Sequence, residues 1–348
     1  MKTQRSILFA LLTASVTALS SIPLVGTQTA SAAISIAMVP VGNPGNAADP
    51  YNPNSFPGGY GSVAYSYSIG KFDVTASQYT AFLNAVAKTD TYSLYNSNMA
   101  SNFAAAGISQ SGSSGSYTYV TTKNGNFPVN YVTWGDAARF CNWLSNNQPS
   151  GAEGNGTTET GSYTLNGVTT DAALNAVTRN ANADYVIPTE NEWYKAAYYN
   201  PSSSSYYLYP TSSNSPPSNV LSATGTNNAN YYDYYGTGNG GYTDPTNYLT
   251  AVGTFADSAS PYGTYDQGGD VWQWNESDYY GSYRGLRGGS FYYTNVNLQS
   301  GILSYDNPTD GNYGLIGFRV SQVPEPAPLG LLGLGLIGIL ARRRTMRS

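Results

Sequence analysis

Cys141 is the only cysteine in this 348-residue chain, and there is no histidine. An intramolecular disulfide is therefore impossible, so no cystine framework can shape the fold. Histidine-ligated zinc or iron, histidine triads and imidazole acid–base chemistry are excluded as well. Charged residues are only 10% of the chain and there are 33 tyrosines. Such a low-charge, Tyr/Asn/Ser/Gly-rich composition is a hint of a polysaccharide-facing extracellular protein.

Both ends read as addresses. Lys2 and Arg5 precede an apolar run over residues 7–19, and Ala30-Ser31-Ala32 is a small-x-small cleavage site, so residues 1–32 are expected to be a signal peptide. At the other end, Val323-Pro-Glu-Pro326 leads into an apolar run over 327–341 and then Arg342-Arg-Arg344. At about 1.5 Å per residue that run spans roughly 22 Å, short of a ~30 Å hydrocarbon core unless its arginines stay at the cytoplasmic face. Six of the fifteen basic residues and one acid sit in these ends, which leaves the body with nine basic and nineteen acidic residues. A body of that sign has no electrostatic footprint for nucleic acid; its carboxylates suit cations or solubility.

The body between the ends is long enough for one large core. Strands are expected over 35–41 and 62–69, and a last one over 315–320. Three helices are announced by capping boxes at Thr75, Thr133 and Thr189, each followed by an apolar stripe. Residues 96–125 and 151–183 read as loops or hairpins, and 201–250 as a long segment with little regular structure. The Gly-rich run 236–241 lacks the strand-to-helix context of a nucleotide loop. Arg287 and Arg319 are expected to satisfy buried carbonyls or carboxylates at strand ends.

Tyr265-Asp-Gln-Gly-Gly-Asp-Val-Trp-Gln-Trp274 gathers two carboxylates, two glycines and two tryptophans. Trp272 and Trp274, two apart, would share one face of an extended backbone. On residue types alone this is either a tight turn ending in a buried strand or a corner tied by a cation through Asp266, Asp270 and Gln273.

Six motifs follow one another in order: residues 69–79 (Ile-Gly-Lys-Phe-Asp-Val-Thr), 128–144 (Pro-Val-Asn-Tyr-Val-Thr-Trp), Ile187-Pro-Thr-Glu-Asn-Glu-Trp193, Gly269-Asp-Val-Trp-Gln-Trp274, Arg287-Gly-Gly-Ser-Phe291 and Gly317-Phe-Arg-Val320. In this order they resemble the formylglycine-generating (sulfatase-modifying factor) domain, over residues 35–321. The tail, residues 323–348, resembles the PEP-CTERM sorting signal of exopolysaccharide-producing Gram-negative bacteria.

The resemblance implies an α+β fold of the formylglycine-generating-enzyme type, related to C-type lectins, with sparse regular secondary structure and long loops. It implies calcium as a structural cofactor in two sets: Asp266, the carbonyls of Gly269 and Val271, and Gln273; and Asn230, the carbonyl of Tyr231, Asp244 and the carbonyl of Thr246. The family's two catalytic cysteines map to Tyr293 and Leu298, and its iron-dependent members need histidine, so neither copper nor iron is expected. Phe291, Tyr292, Tyr293, Asn295 and Asn297 would line the groove where the cysteines stood. Cys141 is read as a small buried hydrophobe.

The function expected is an exported, non-catalytic, calcium-stabilised binding module of the cell surface, outer membrane or extracellular matrix. Its partners would be exosortase at the tail, a polysaccharide or surface protein at the groove, and the membrane transiently through the tail. The alternative is an oxidase-type enzyme acting on a protein or small molecule through an unrecognised site; a lectin-like protein with a variable loop over 292–312 is a third.

Overall fold

The computed structural model describes residues 33–50, 59–236, 238–311 and 314–324. The expected signal peptide and the apolar run of the tail lie outside these residues. No described helix is long and apolar enough to cross a membrane.

The helices, in chain order, are α1 (Ala76–Val86), α2 (Asn98–Ser101), α3 (Trp134–Ser145), α4 (Asp171–Asn175) and α5 (Glu190–Tyr198). The three capping boxes open α1, α3 and α5: each threonine hydroxyl accepts from the backbone N–H three residues on, and Gln78, Asp136 or Glu192 accepts the threonine's own N–H. Each cap contributes about 1 kcal/mol.

Strands are short. They are β1 (Met38–Val41), β2 (Tyr67–Gly70), β3 (Ile108–Ser111), β4 (Thr118–Thr121), β5 (Tyr185–Val186), β6 (Tyr199–Asn200), β7 (Ser205–Tyr206), β8 (Trp272–Tyr279), β9 (Tyr283–Arg287), β10 (Ser304–Asp306), β11 (Ile316–Gly317) and β12 (Ser321–Gln322). One antiparallel sheet runs β1-β2-β12-β5; a second, mixed sheet runs β10-β9-β8-β11, with β11 parallel to β8. The strands expected over 35–41 and 62–69 shrink to β1 and β2. The single strand expected over 315–320 becomes two, because the chain leaves one sheet at Gly317 and joins the other at Ser321.

Helices α1 and α3 pack their apolar stripes against each other. Phe140 lies 5.4 Å from both Phe82 and Phe318, and Phe82 lies 5.3 Å from Trp143. Burying each such ring stabilises the fold by on the order of 2–3 kcal/mol. Cys141, also on α3, is fully buried, and burial pushes its thiol well up. It is a packing residue.

Charge is mostly internal. Every described arginine is buried or nearly so: Arg139 pairs with Glu159, Arg179 with Glu192 and Glu276, Arg287 with Glu190, and Arg319 with Asp73, all at 2.6–2.9 Å. Arg284 instead donates to the carbonyls of Glu276, Leu174, Asn175 and Val177 and lies 4.0 Å from the Trp134 ring. These five guanidiniums tie loops to strands far away in sequence.

Candidate functional site

The corner before β8 is built backbone against backbone. Asp266 and Asp270 both take left-handed conformations (φ 59° each), with Gly269 between them at φ 85°. A side chain on Gly269 would place its Cβ 2.0 Å from the Asn230 carbonyl oxygen, and one on Gly288 would lie 2.5 Å from that of Gln267. Only glycine allows both approaches. The Asn230 carbonyl then accepts from Asp270 N at 2.8 Å, and Gly288 O accepts from Gly269 N at 2.8 Å.

Around this knot three acids are taken out of water. Asp266 accepts from Gly253 N at 2.7 Å, and burial pushes its carboxyl up to about 6. Asp270 accepts from the Thr250 hydroxyl and N–H and from Asn230 Nδ2; burial, then the neighbouring Asp266, raise it well above the usual range. Asp73, paired with Arg319, is raised chiefly by burial.

The two expected calcium sets fare differently. Gln273, between the tryptophans, is fully buried, and its Oε1 accepts from Trp193 Nε1 at 2.7 Å and from Arg319 Nε at 2.6 Å. An oxygen already holding an indole N–H and a guanidinium does not fit a divalent cation. The set of Asp266, Gly269, Val271 and Gln273 thus loses its second side-chain ligand. In the other set, Asn230 Oδ1 is buried with no hydrogen-bond partner, as a metal ligand would be. Its neighbours are more committed: Tyr231 O accepts from Asn219 and Thr243, while Asp244 accepts from Thr246 N and twice from Asn247. Thr246 itself is exposed. Among the described residues no group of three or more Asp, Glu, His or Cys side chains gathers around a metal-sized point.

Beyond the Gly288-Gly289 turn the chain surfaces as an aromatic face. Phe291 and Asn295 do not line it: they are 2% and 4% exposed, and Phe291 packs under Tyr242 and Tyr248. Tyr292 and Tyr293 do reach the surface, at 56% and 39%, with Asn297 half-buried beside them. Tyr293 sets its ring 5.7 Å from Trp272, edge to face, and its carbonyl accepts from Tyr232 N. From Tyr232 the rings continue through Tyr242 and Tyr248 to Phe103, each 4.8–4.9 Å from the next, and Phe103 is 67% exposed. Leu298, expected at the second cysteine position, is fully buried between Gly268 and Gly289 and accepts from the Tyr198 hydroxyl through its carbonyl.

A family profile described as the sulfatase-modifying factor enzyme 1-like domain matches residues 25–323. The chain belongs to that family. A second profile, the PEP-CTERM protein-sorting motif, matches residues 322–344, which marks this sulfatase-modifying-factor-like protein for export and for recognition by an exosortase. Among curated proteins none matches it. Solved structures similar to it include that of CarF (18% identity, TM-score 0.49, covering 83% of this chain and 99% of CarF). Another is variable protein 1 of Treponema denticola (17%, 0.48, 85% and 98%), and a third is PvdO from Pseudomonas aeruginosa (16%, 0.42, 83% and 92%).

Within the family frame, the sequence located Tyr292 and Tyr293 but missed Phe103, Tyr232, Tyr242 and Tyr248. These come from segments without helix or strand periodicity, so no pattern placed them on one face. The single available signal was the density of tyrosine in residues 231–248.

Proposed function

We propose that this exported family member is a non-catalytic binding module whose aromatic face takes up polysaccharide at the cell surface or in the extracellular matrix. The observation that carries the proposal is the row of rings ending at Tyr293, in the position of a family cysteine. Rings packed edge to face in this way leave apolar ring area and hydroxyl groups at the surface, which suits the faces of sugar rings. With Leu298 buried in the second position and Cys141 sealed inside α3, no thiol reaches the surface.

Calcium belongs to the same proposal through the Asn230 set. Asn230 Oδ1 would hold the ion with Asp244 and the carbonyls of Tyr231 and Thr246, and its charge would brace the segment that carries Tyr232 and Tyr242. Added calcium is then expected to raise the melting temperature of the full chain, and Asn230→Ala to abolish the rise. An equal rise in that variant would remove the ion from this set.

Binding is tested by sedimenting the full chain with exopolysaccharide purified from a PEP-CTERM-bearing Gram-negative bacterium. Replacing Tyr292 and Tyr293 together by alanine is expected to weaken binding about tenfold, roughly 1.4 kcal/mol for two stacked rings. Equal binding by the double variant, or oxygen uptake by the wild type with cysteine peptides and copper, would overturn the reading.

A further inference from the structure

A second cleft, sharing no residue with the aromatic face, opens beside the first turn of α3. Its volume is about 350 Å³, at the small end of the range of about 300–1,000 Å³ for ligand sites. That size suits one small molecule rather than a polymer laid lengthwise.

Two buried side chains in its wall keep unused hydrogen-bonding capacity. Arg139 is 2% exposed; its Nε and Nη2 are held by Glu159 and the Val168 carbonyl, while Nη1 makes no hydrogen bond. Tyr92 lies over the guanidinium at 4.4 Å and fixes its plane. Asp136 is 3% exposed and accepts at Oδ2 from Thr133 N, while no N–H reaches its Oδ1. The wall thus holds one directed donor and one directed acceptor, with the hydroxyls of Thr91, Thr169 and Thr309 around them. Neither atom is sealed off from solvent, so a molecule entering the cleft can reach both.

The surrounding charge selects among partners. Arg139 is already paired with Glu159, and Asp90 lies close enough for Asp136 to feel its charge. Glu153 accepts from Thr91 N, and Asp171 accepts from Thr309 at the rim. Glu159 neutralises the single guanidinium, and Glu153 and Asp171 add carboxylates at the rim, so an anionic ligand is disfavoured. A partner with adjacent donors and acceptors and no negative charge remains.

We propose that this cleft binds one neutral sugar residue, with Asp136 accepting from one ring hydroxyl and Arg139 Nη1 donating to its neighbour. Leu174, the apolar member of the wall, covers the C–H face of the ring. The cleft would read the end of a glycan, whereas the aromatic face would hold its length, and either site can fail without the other.

Saturation-transfer NMR on the full chain with D-glucose, D-galactose and D-mannose, and with D-glucuronate as the acidic counterpart, tests the assignment. At least one neutral hexose is expected to bind with a Kd on the order of millimolar, and glucuronate several-fold more weakly. Asp136→Asn can still accept from Thr133 N through its amide oxygen but replaces the other oxygen by a donor, and is expected to weaken binding about tenfold. Thr169→Trp, at an exposed rim position outside the core, fills the opening and is expected to abolish it. The Tyr292→Ala/Tyr293→Ala variant should bind the hexose as the wild type does. Absence of binding by all three hexoses, binding that survives both cleft substitutions, equal binding of glucuronate, or loss on changing the tyrosines would each overturn the proposal.

Discussion

Gly269 shows how much of this molecule turns on single residues. Its φ is 85°, and an added Cβ would lie 2.0 Å from the Asn230 carbonyl oxygen, so there is no room for a side chain. Gly269→Ala is expected to cost about 2 kcal/mol or more through left-handed strain plus displacement of the Asn230 segment. A urea midpoint within error of the wild type would show that the two backbones are not locked together. The glycines, aspartates and tryptophans of this corner were legible as a rigid bend, because each imposes a local preference. The partners of Gln273 were not, since Trp193 lies 80 residues and Arg319 46 residues away in sequence. Side-chain capacity alone suggested a cation ligand; only the tertiary arrangement reveals that a guanidinium already occupies that oxygen.

At the scale of elements, α5 carries the greatest electrostatic stake. Glu192 closes its capping box and also faces Arg179, which bridges to Glu276 and donates to the Ile187 carbonyl. Burial alone would raise Glu192, yet Arg179 outweighs it and holds the carboxyl below its usual value. Thr189→Ala removes one cap and is expected to cost about 1 kcal/mol. Arg179→Gln strands two buried carboxylates and is expected to cost about 3–5 kcal/mol. Chemical denaturation of the two variants side by side checks the order, and equal costs would mean that the ion pair adds nothing beyond the cap. The three long helices were legible because a capping box and an apolar stripe are both local patterns. Strands of two residues were not, since β11 and β12 exist only through partners in different sheets. The apolar run over 315–320 therefore looked like one strand while serving two.

For the molecule as a whole, the buried acids predict an inverted pH response. Burial raises Asp136 to about 7 and Asp266 to about 6, and it raises Asp270 as well, so the folded state binds these protons more tightly than the unfolded chain. Stability from such groups is fully present below about pH 4 and is lost as pH rises through 6 to 7. Glu192, held low, acts in the opposite sense, and its contribution is lost as the solution is acidified below its folded value. In calcium-free buffer the full chain is therefore expected to melt at a higher temperature at pH 5 than at pH 8; a higher melting temperature at pH 8 would rule out these acids as the dominant titrating groups. The five arginines bear on the exterior too. With all of them turned inward, and Lys195 fully buried, Lys71, Lys88 and Lys123 are the positive side chains that the described body keeps outside its core. In colloidal terms the body is a polyanion with almost no counter-charged patches. A hydrated gel of acidic polymer would keep such a particle out by Donnan exclusion, so it would partition into neutral regions of a matrix or to places where divalent ions condense the charge.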